Sequence, residues 1–483
     1  MISPSFDEFK KLCRSGNLIA LRLDLPSDLE TPVSAFLKLE AKEPCAFLLE
    51  SAEQEERIGR YSFLGFDPDL TLTPEPRRST TDLLTTMKKR ISISRLANPE
   101  GLPNFAGGFV GFLGYENVRF FEKVPLRKKP GLGINEAVFF LVKDFIIFDH
   151  FRKTLSIVSI AEIKRKNGAA LKGIYQKGVR KIHAIAAKLT RNLPSQKKKK
   201  SGSRRFRLSS NLSRSQFAKK LARIKEYIRA GDCIQVVFSQ RFSLGRVRND
   251  FDIYRALHSI NPSPYMFYFR YGSLRLIGSS PEVLVKKTGR LAEVRPIAGT
   301  RPRGENASRD IQLEENLRRS VKEMAEHLML VDLGRNDLGR VCQFDSIKVG
   351  NFARVERYSH VMHLVSSVQG TLKRGKDAFD LLRATFPAGT VTGAPKIRAM
   401  EIIDELEPEK RGPYAGSLGY FSFNQDMDMC ITIRTLVIKG TQAYVQAGAG
   451  VVYDSKPQRE FEETVNKAKA MVQAVQGNHQ ARK

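Results

Sequence analysis

Between residues 213 and 232 apolar side chains recur at Phe217, Leu221, Ile224 and Ile228. That three-to-four spacing predicts an amphipathic helix closed by Gly231. The run CIQVVFSQRFSL that follows is β-rich, and residues 265–301 predict strands joined by turns at Gly272 and Gly289. Residues 309–333 predict one long helix ending ahead of GRNDLGR. AYVQAGAGVVYDS returns to strand, and a last helix starts near Pro457. Before residue 195, short β-like runs alternate with helical ones. Strands in meander with helices outside indicate α+β and argue against a parallel dinucleotide-binding sheet. The most apolar stretch, AVFFLVKDFIIF at 137–148, is interrupted by Lys143 and Asp144 and is too short to span a bilayer.

Charge changes the picture next. The chain has 483 residues, 81 Lys+Arg against 51 Asp+Glu, a net +30. Residues 161–207 hold 16 Lys/Arg and one acid, Glu162, so +15 of that surplus lies there. The segment ends in PSQKKKKSGSRRFR, a linker composition, and its plainest reading is a solvated connector. A polyanion-binding module on 161–207 is the alternative. No zinc finger or aromatic RNA-binding motif accompanies it, so no specific nucleic acid is expected. Three parts follow: 1–195, a basic linker at 196–210, and 211–475, with 476–483 as a tail. The start MISPSFDEFKK carries no leader-like apolar run. Five unpaired, widely spaced cysteines fit a reducing cytoplasm.

Two carboxylate pairs stand out. Glu323 and Glu326 share a helix face, as do Glu460, Glu463 and Lys467. Two such faces could meet around a hard cation or could be ordinary charged surface. The Gly-rich strings RPIAGTRPRG, FPAGTVTGAPK and QAGAG offer backbone N–H groups to carboxylates or phosphates. His327, His360 and His363 cluster in sequence without a catalytic-triad order, and a satisfied core histidine is the default for each.

Read together and in order, PIAGTRPRG, KEMAEHLMLVDLGRNDLGRV, YSHVMH, FPAGTVTGAPK, RGPYAG, ITIRT, QAGAGVVYDS and ETVNKAKA resemble anthranilate synthase component I of the chorismate-utilising enzymes. LLESAEQEERIGRYSFLG and GFVGFLGYENVRFFE extend the resemblance over nearly the whole chain. It implies two large orthogonally packed β-sheets flanked by helices, with the active site between them. It implies conversion of chorismate and ammonia to anthranilate and pyruvate, ammonia coming from glutamine through a separate amidotransferase subunit. Mg²⁺ is the implied cofactor, with Glu326 and Glu463 as ligands and Glu323 and Glu460 holding its waters. Arg434 and Tyr414 match the grip on the enolpyruvyl carboxylate, with Gly448 and Gly450 giving room there. Thr390 and Lys467 match contacts to the ring carboxylate. Glu282 matches the general acid, and His363 the residue of pyruvate elimination.

Two positions separate relatives. Water-adding relatives place a Lys where this chain has Gln235. Aminodeoxychorismate synthases commonly read PIKGT where this chain has Ala298. Both departures favour the aromatising, ammonia-using enzyme, with 4-amino-4-deoxychorismate synthase as the alternative. Ser51, Pro264, Tyr265, Met266 and Cys430 match the pocket through which tryptophan inhibits family members. The chain has no Trp, which would suit an enzyme made when tryptophan is scarce.

Overall fold

A computed structural model describes residues 1–39, 43–51, 59–74, 82–164, 167–193, 208–358 and 361–480, with side chains to 477. Its frame is two antiparallel sheets with helices outside them, as the α+β reading expects. The first sheet runs in the order Leu18–Pro26, Thr154–Glu162, Asp144–Asp149, Tyr61–Phe66, Cys45–Glu50, Tyr265–Tyr271, Leu274–Ser280, Thr435–Lys439, Gln442–Val451, Gln235–Arg246, Gly393–Ala394. The second runs Ile297–Pro302, Val361–Thr371, Leu291–Val294, Val283–Thr288, Met427–Ile431, Ser417–Ser422, Gly108–Leu113, Ala137–Val142, Leu70–Leu72, with Lys348–Arg357 also on Val361–Thr371.

The sheets bury a shared aromatic layer. Phe140 of one stacks on Phe269 of the other at 4.5 Å, and Phe112 meets Phe269 edge-on at 5.9 Å. Strands Gly108–Leu113 and Ala137–Val142 are buried along their whole length, which explains their unbroken apolar runs. The interruption at Lys143 is the step between sheets: Ala137–Val142 lies in the second and Asp144–Asp149 in the first. Lys143 is paired there with Glu162 at 2.9 Å. A second core lies on the far side of the first sheet, where Phe9, Phe36, Ile182, Tyr254 and Met471 bring five helices onto it.

The halves on either side of the basic linker are interleaved. Cys45–Glu50 pairs with Tyr265–Tyr271, and Gly108–Leu113 with Ser417–Ser422. Residues 194–207, most of the linker, and His360 lie outside the described residues.

Two expectations need correction. The basic segment 161–207 is not connector throughout. Gly168–Leu189 is a 22-residue helix, because Leu171, Ile182, Ile185 and Leu189 form a buried stripe while Lys172, Lys177 and Arg180 are exposed. The single helix expected at 309–333 is two, Ala307–Arg319 and Val321–Gly339. Ser320 leaves helical geometry (ψ 105°), and its hydroxyl accepts from the Glu323 N–H at 3.4 Å. The second helix then runs through GRNDLGR, since Gly334 is a contact point and not a stop. A Cβ there would lie 3.0 Å from Val294.

Candidate active site

Two chain corners build the centre of the site. Leu274–Ser280 belongs to the first sheet and Val283–Thr288 to the second, so Pro281 and Glu282 form the step between them. Met427–Ile431 and Thr435–Lys439 make the reverse step, carrying Arg434 in the left-handed region at φ 50°. The corners are laced together. Ile431 N–H donates to Glu282 O at 3.0 Å, Ser279 N–H to Arg434 O at 3.1 Å, and the Ser280 hydroxyl to Ile431 O at 2.7 Å. Glu282 and Arg434 are thus set on one rigid element.

Glu282 is buried, and burial lifts its carboxyl pKa from 4.5 to about 8, with Thr390 and the charge of Lys467 offsetting part of the shift. The Thr390 Oγ1 nearby is buried without a hydrogen-bond partner of normal geometry. A buried orphan hydroxyl marks a place where a ligand's polar group belongs. Lys467 donates to Gly448 O at 3.1 Å and pairs with Glu463 at 2.7 Å. Burial works against the charge of Arg434, and Tyr414 and Glu463 favour it.

Gly448 and Gly450 serve the protein's own side chains. A Cβ on Gly448 would lie 2.7 Å from the Tyr414 hydroxyl, and one on Gly450 would lie 2.5 Å from Gln235 Nε2. Gln235 uses that room to donate from Nε2 to Glu326 Oε1 at 3.0 Å. His363 Nδ1 lies 2.8 Å from Gly299 O and 3.1 Å from Thr300 Oγ1. The carbonyl can only accept, which assigns the proton to Nδ1 and leaves Nε2 as the basic nitrogen. Burial lowers the His363 pKa and favours the neutral ring.

The acidic side chains sit on two helices. Glu323 takes Arg301 at 3.2 Å. Glu460 is buried, and burial raises its pKa, with the Ser455 hydrogen bond opposing and the Glu463 charge adding. Among the described residues no three His, Cys, Asp or Glu side chains converge into a closed metal site. Among the described residues Glu326 and Glu463 each set one oxygen against a neighbour, Gln235 and Lys467. That donor set fits a hard cation that keeps waters and shares its shell with an anionic ligand.

One device escaped the sequence reading. Arg411 and Glu407 form a buried pair at 2.6 Å. Arg411 also donates to Val391 O and Val237 O at 2.7 Å and lies over the rings of Tyr115 and Tyr414 at 4.8 and 5.4 Å. Glu407 accepts from the Ser239 N–H and hydroxyl at 2.8 and 2.7 Å. The pair ties the Thr390 turn, the Gln235 strand and Tyr414 into one block. Arg411 stands in the RGPYAG string, but nothing in the sequence marks its partner.

A cavity of about 600 Å³ that does not take in Glu282 or Arg434 is lined by Ser51, Pro264, Tyr265, Met266 and Cys430. The Ser51 hydroxyl is buried without a hydrogen-bond partner among the described residues. Tyr265 donates to Asp428 at 2.9 Å, leaving its ring face and Met266 as apolar wall.

A family profile described as chorismate binding enzyme matches residues 44–473. "Anthranilate synthase component 1" of Acetivibrio thermocellus is 43% identical, covering 99% of both chains. The Aquifex aeolicus protein of the same name is 45% identical over 98% of this chain and 97% of its own. The crystal structure of anthranilate synthase component I from Streptococcus pneumoniae superposes with a TM-score of 0.77 at 35% identity, covering 93% of this chain and 99% of that one. A menaquinone-specific isochorismate synthase from Escherichia coli, at 18% identity and TM-score 0.74, shares the fold.

Proposed function

The chain belongs to the chorismate-binding enzymes, and from that membership we propose that it is the synthase subunit of an anthranilate synthase. It converts chorismate and ammonia to anthranilate, pyruvate and water, the committing step toward tryptophan. A glutamine amidotransferase subunit supplies the ammonia in the cytoplasm. No described helix is long and apolar enough to cross a membrane.

The observation that carries this reading is Glu282, an acid with a pKa of about 8 on the corner laced to the one that carries Arg434. Loss of the ring hydroxyl needs a proton donor still charged with its proton at neutral pH, which an exposed carboxyl is not. Arg434 and Tyr414 hold the enolpyruvyl carboxylate, the Arg as a fork. Thr390 and Lys467 receive the ring carboxylate. Glu326 and Glu463 would hold Mg²⁺, with Glu323 and Glu460 around them, and the ion would supply positive charge to the substrate's ring carboxylate. Ammonia adds to the ring as Glu282 gives its proton to the leaving hydroxyl. Neutral His363, its Nε2 free, stands at the elimination of pyruvate that follows. Gln235 lacks the amine of water-activating relatives, and its amide is engaged by Glu326.

The cavity lined by Ser51 and Met266 takes tryptophan as feedback inhibitor. Its amino or carboxylate group meets the free Ser51 hydroxyl, and its indole meets Tyr265 and Met266. The deciding experiment gives the purified protein chorismate, Mg²⁺ and ammonium. Anthranilate fluorescence is expected. An aminated ring intermediate accumulating without anthranilate would overturn the assignment in favour of 4-amino-4-deoxychorismate synthase.

A further inference from the structure

A second concavity, of about 320 Å³, lies at the end of the second sheet opposite to Glu282 and His363. One wall is the end of Val283–Thr288, carrying Lys287, and the hairpin turn after it, carrying Arg290. The other is the loop between Val361–Thr371 and the helix Ala378–Thr385, carrying Lys373, Arg374 and Lys376. Among the described residues none of these five cations has an acidic side chain within ion-pair distance, although much of this chain's charge is paired. Asp377 also lines the space, but its carboxylate is committed to Lys88 at 2.9 Å and to the N–H groups of Phe379 and Asp380 at 2.9 and 3.0 Å. Asp426, beneath, accepts from the Gly289 N–H at 2.8 Å.

Lys287 is anchored in the fold, while Arg290, Lys373, Arg374 and Lys376 are exposed around the space. Lys287 is 6% exposed, and its ammonium donates to Gln425 O at 2.7 Å. Arg290 donates to Leu372 O at 2.5 Å, tying the hairpin turn to the opposing loop. Lys376 N–H donates to Lys373 O at 3.2 Å, closing a turn through Gly375 at φ 79°. Among the described residues the Lys373 ammonium has one marginal hydrogen bond, to Gly339 O at 3.5 Å. Like charges held on two facing walls repel each other, and an anion between them reverses that repulsion. A phosphate carries about two negative charges at neutral pH, and two linked phosphates come nearer to matching five cations. We propose that this concavity is a binding site for a small anion carrying two linked phosphate groups, gripped by Lys287 and Arg290 on one side and by Lys373, Arg374 and Lys376 on the other. It is separate from the chorismate site, from the tryptophan cavity and from the basic helix and linker at 161–207.

The test is calorimetric titration of the full chain in metal-free, low-salt buffer with pyrophosphate, inorganic phosphate and ADP. Pyrophosphate is expected to saturate at one per chain and to bind about tenfold or more tighter than phosphate. Arg374→Glu with Lys376→Glu, both exposed, should weaken it by about tenfold or more while the thermal midpoint holds. Lys172→Glu with Lys177→Glu on the outer helix changes net charge equally and should leave binding within about twofold. ADP binding as well as pyrophosphate would identify a nucleotide diphosphate end as the source, and pyrophosphate binding alone a free diphosphate. No saturation, equal affinity for phosphate, equal weakening by both double variants, or a short RNA binding where pyrophosphate does not would each overturn the proposal.

Discussion

Glu282→Gln separates the electrostatics of the corner from its chemistry. The parent carboxyl has a folded pKa of about 8 against the ordinary 4.5. Below pH 4.5 it is protonated in both folded and unfolded chains and contributes no pH dependence. As pH rises from 4.5 toward 8, the unfolded chain releases the proton while the folded chain keeps it, so folding stability falls by about 1.4 kcal/mol per pH unit. Above pH 8 the folded carboxyl ionises too and the loss levels off, at an upper bound of roughly 5 kcal/mol. Gln stays neutral throughout. Urea denaturation of parent and variant should therefore show no change in their difference at pH 4, about 3 kcal/mol in favour of Gln by pH 7, and a plateau above pH 8. All other titrating groups cancel in that difference. Activity moves oppositely: the amide has no proton to give, so kcat should fall by about 10²–10⁴. Parent kcat/KM should decline above pH 8 as the acid is lost. A stability difference that does not change between pH 5 and 9 would refute the buried neutral carboxyl, whatever the kinetics show.

Gly450→Ala should displace Gln235, because the new Cβ would sit 2.5 Å from its Nε2. Loss of its bond to Glu326 should lower kcat/KM about tenfold or more, and restoration by shortening the side chain in Gly450→Ala with Gln235→Ala would be inconsistent with a role for the amide itself. Glu463→Ala removes a 46% exposed side chain, so circular dichroism should stay unchanged while Mg²⁺-dependent turnover is lost; Mg²⁺ titration of anthranilate formation checks it. Ser51→Ala deletes a buried hydroxyl that has no hydrogen-bond partner among the described residues. It should weaken tryptophan inhibition about tenfold at unchanged chorismate turnover, and inhibition curves that superimpose would count against the cavity as the inhibitor's site.

Much of the site was legible in linear strings because each corner is local: GSSPE carries Glu282, and ITIRT carries Arg434. The spacing of Glu323 and Glu326, and of Glu460 and Glu463, likewise survives as helix faces. What escaped was long-range or subtle. Ser320 inside an otherwise helical pattern costs little in propensity, so its role as a cap emerges only with the turn in the chain. Gly334 reads as a stop until Val294 is seen against it. Glu407 belongs to the site through Ser239 and Arg411, and only the fold brings Ser239 to it. Helix Gly168–Leu189 was hidden by its cations, which dominate the composition although its apolar stripe was present.

The interleaving of the two halves has a consequence for how the molecule is made. When residues 1–195 have left the ribosome, Cys45–Glu50 and Gly108–Leu113 still lack the neighbours at Tyr265–Tyr271 and Ser417–Ser422 that complete their sheets. Each is then a bare apolar strand edge, a template for another nascent chain. Closure waits on partners more than two hundred residues downstream, so folding is dominated by non-local pairing and is intrinsically slow.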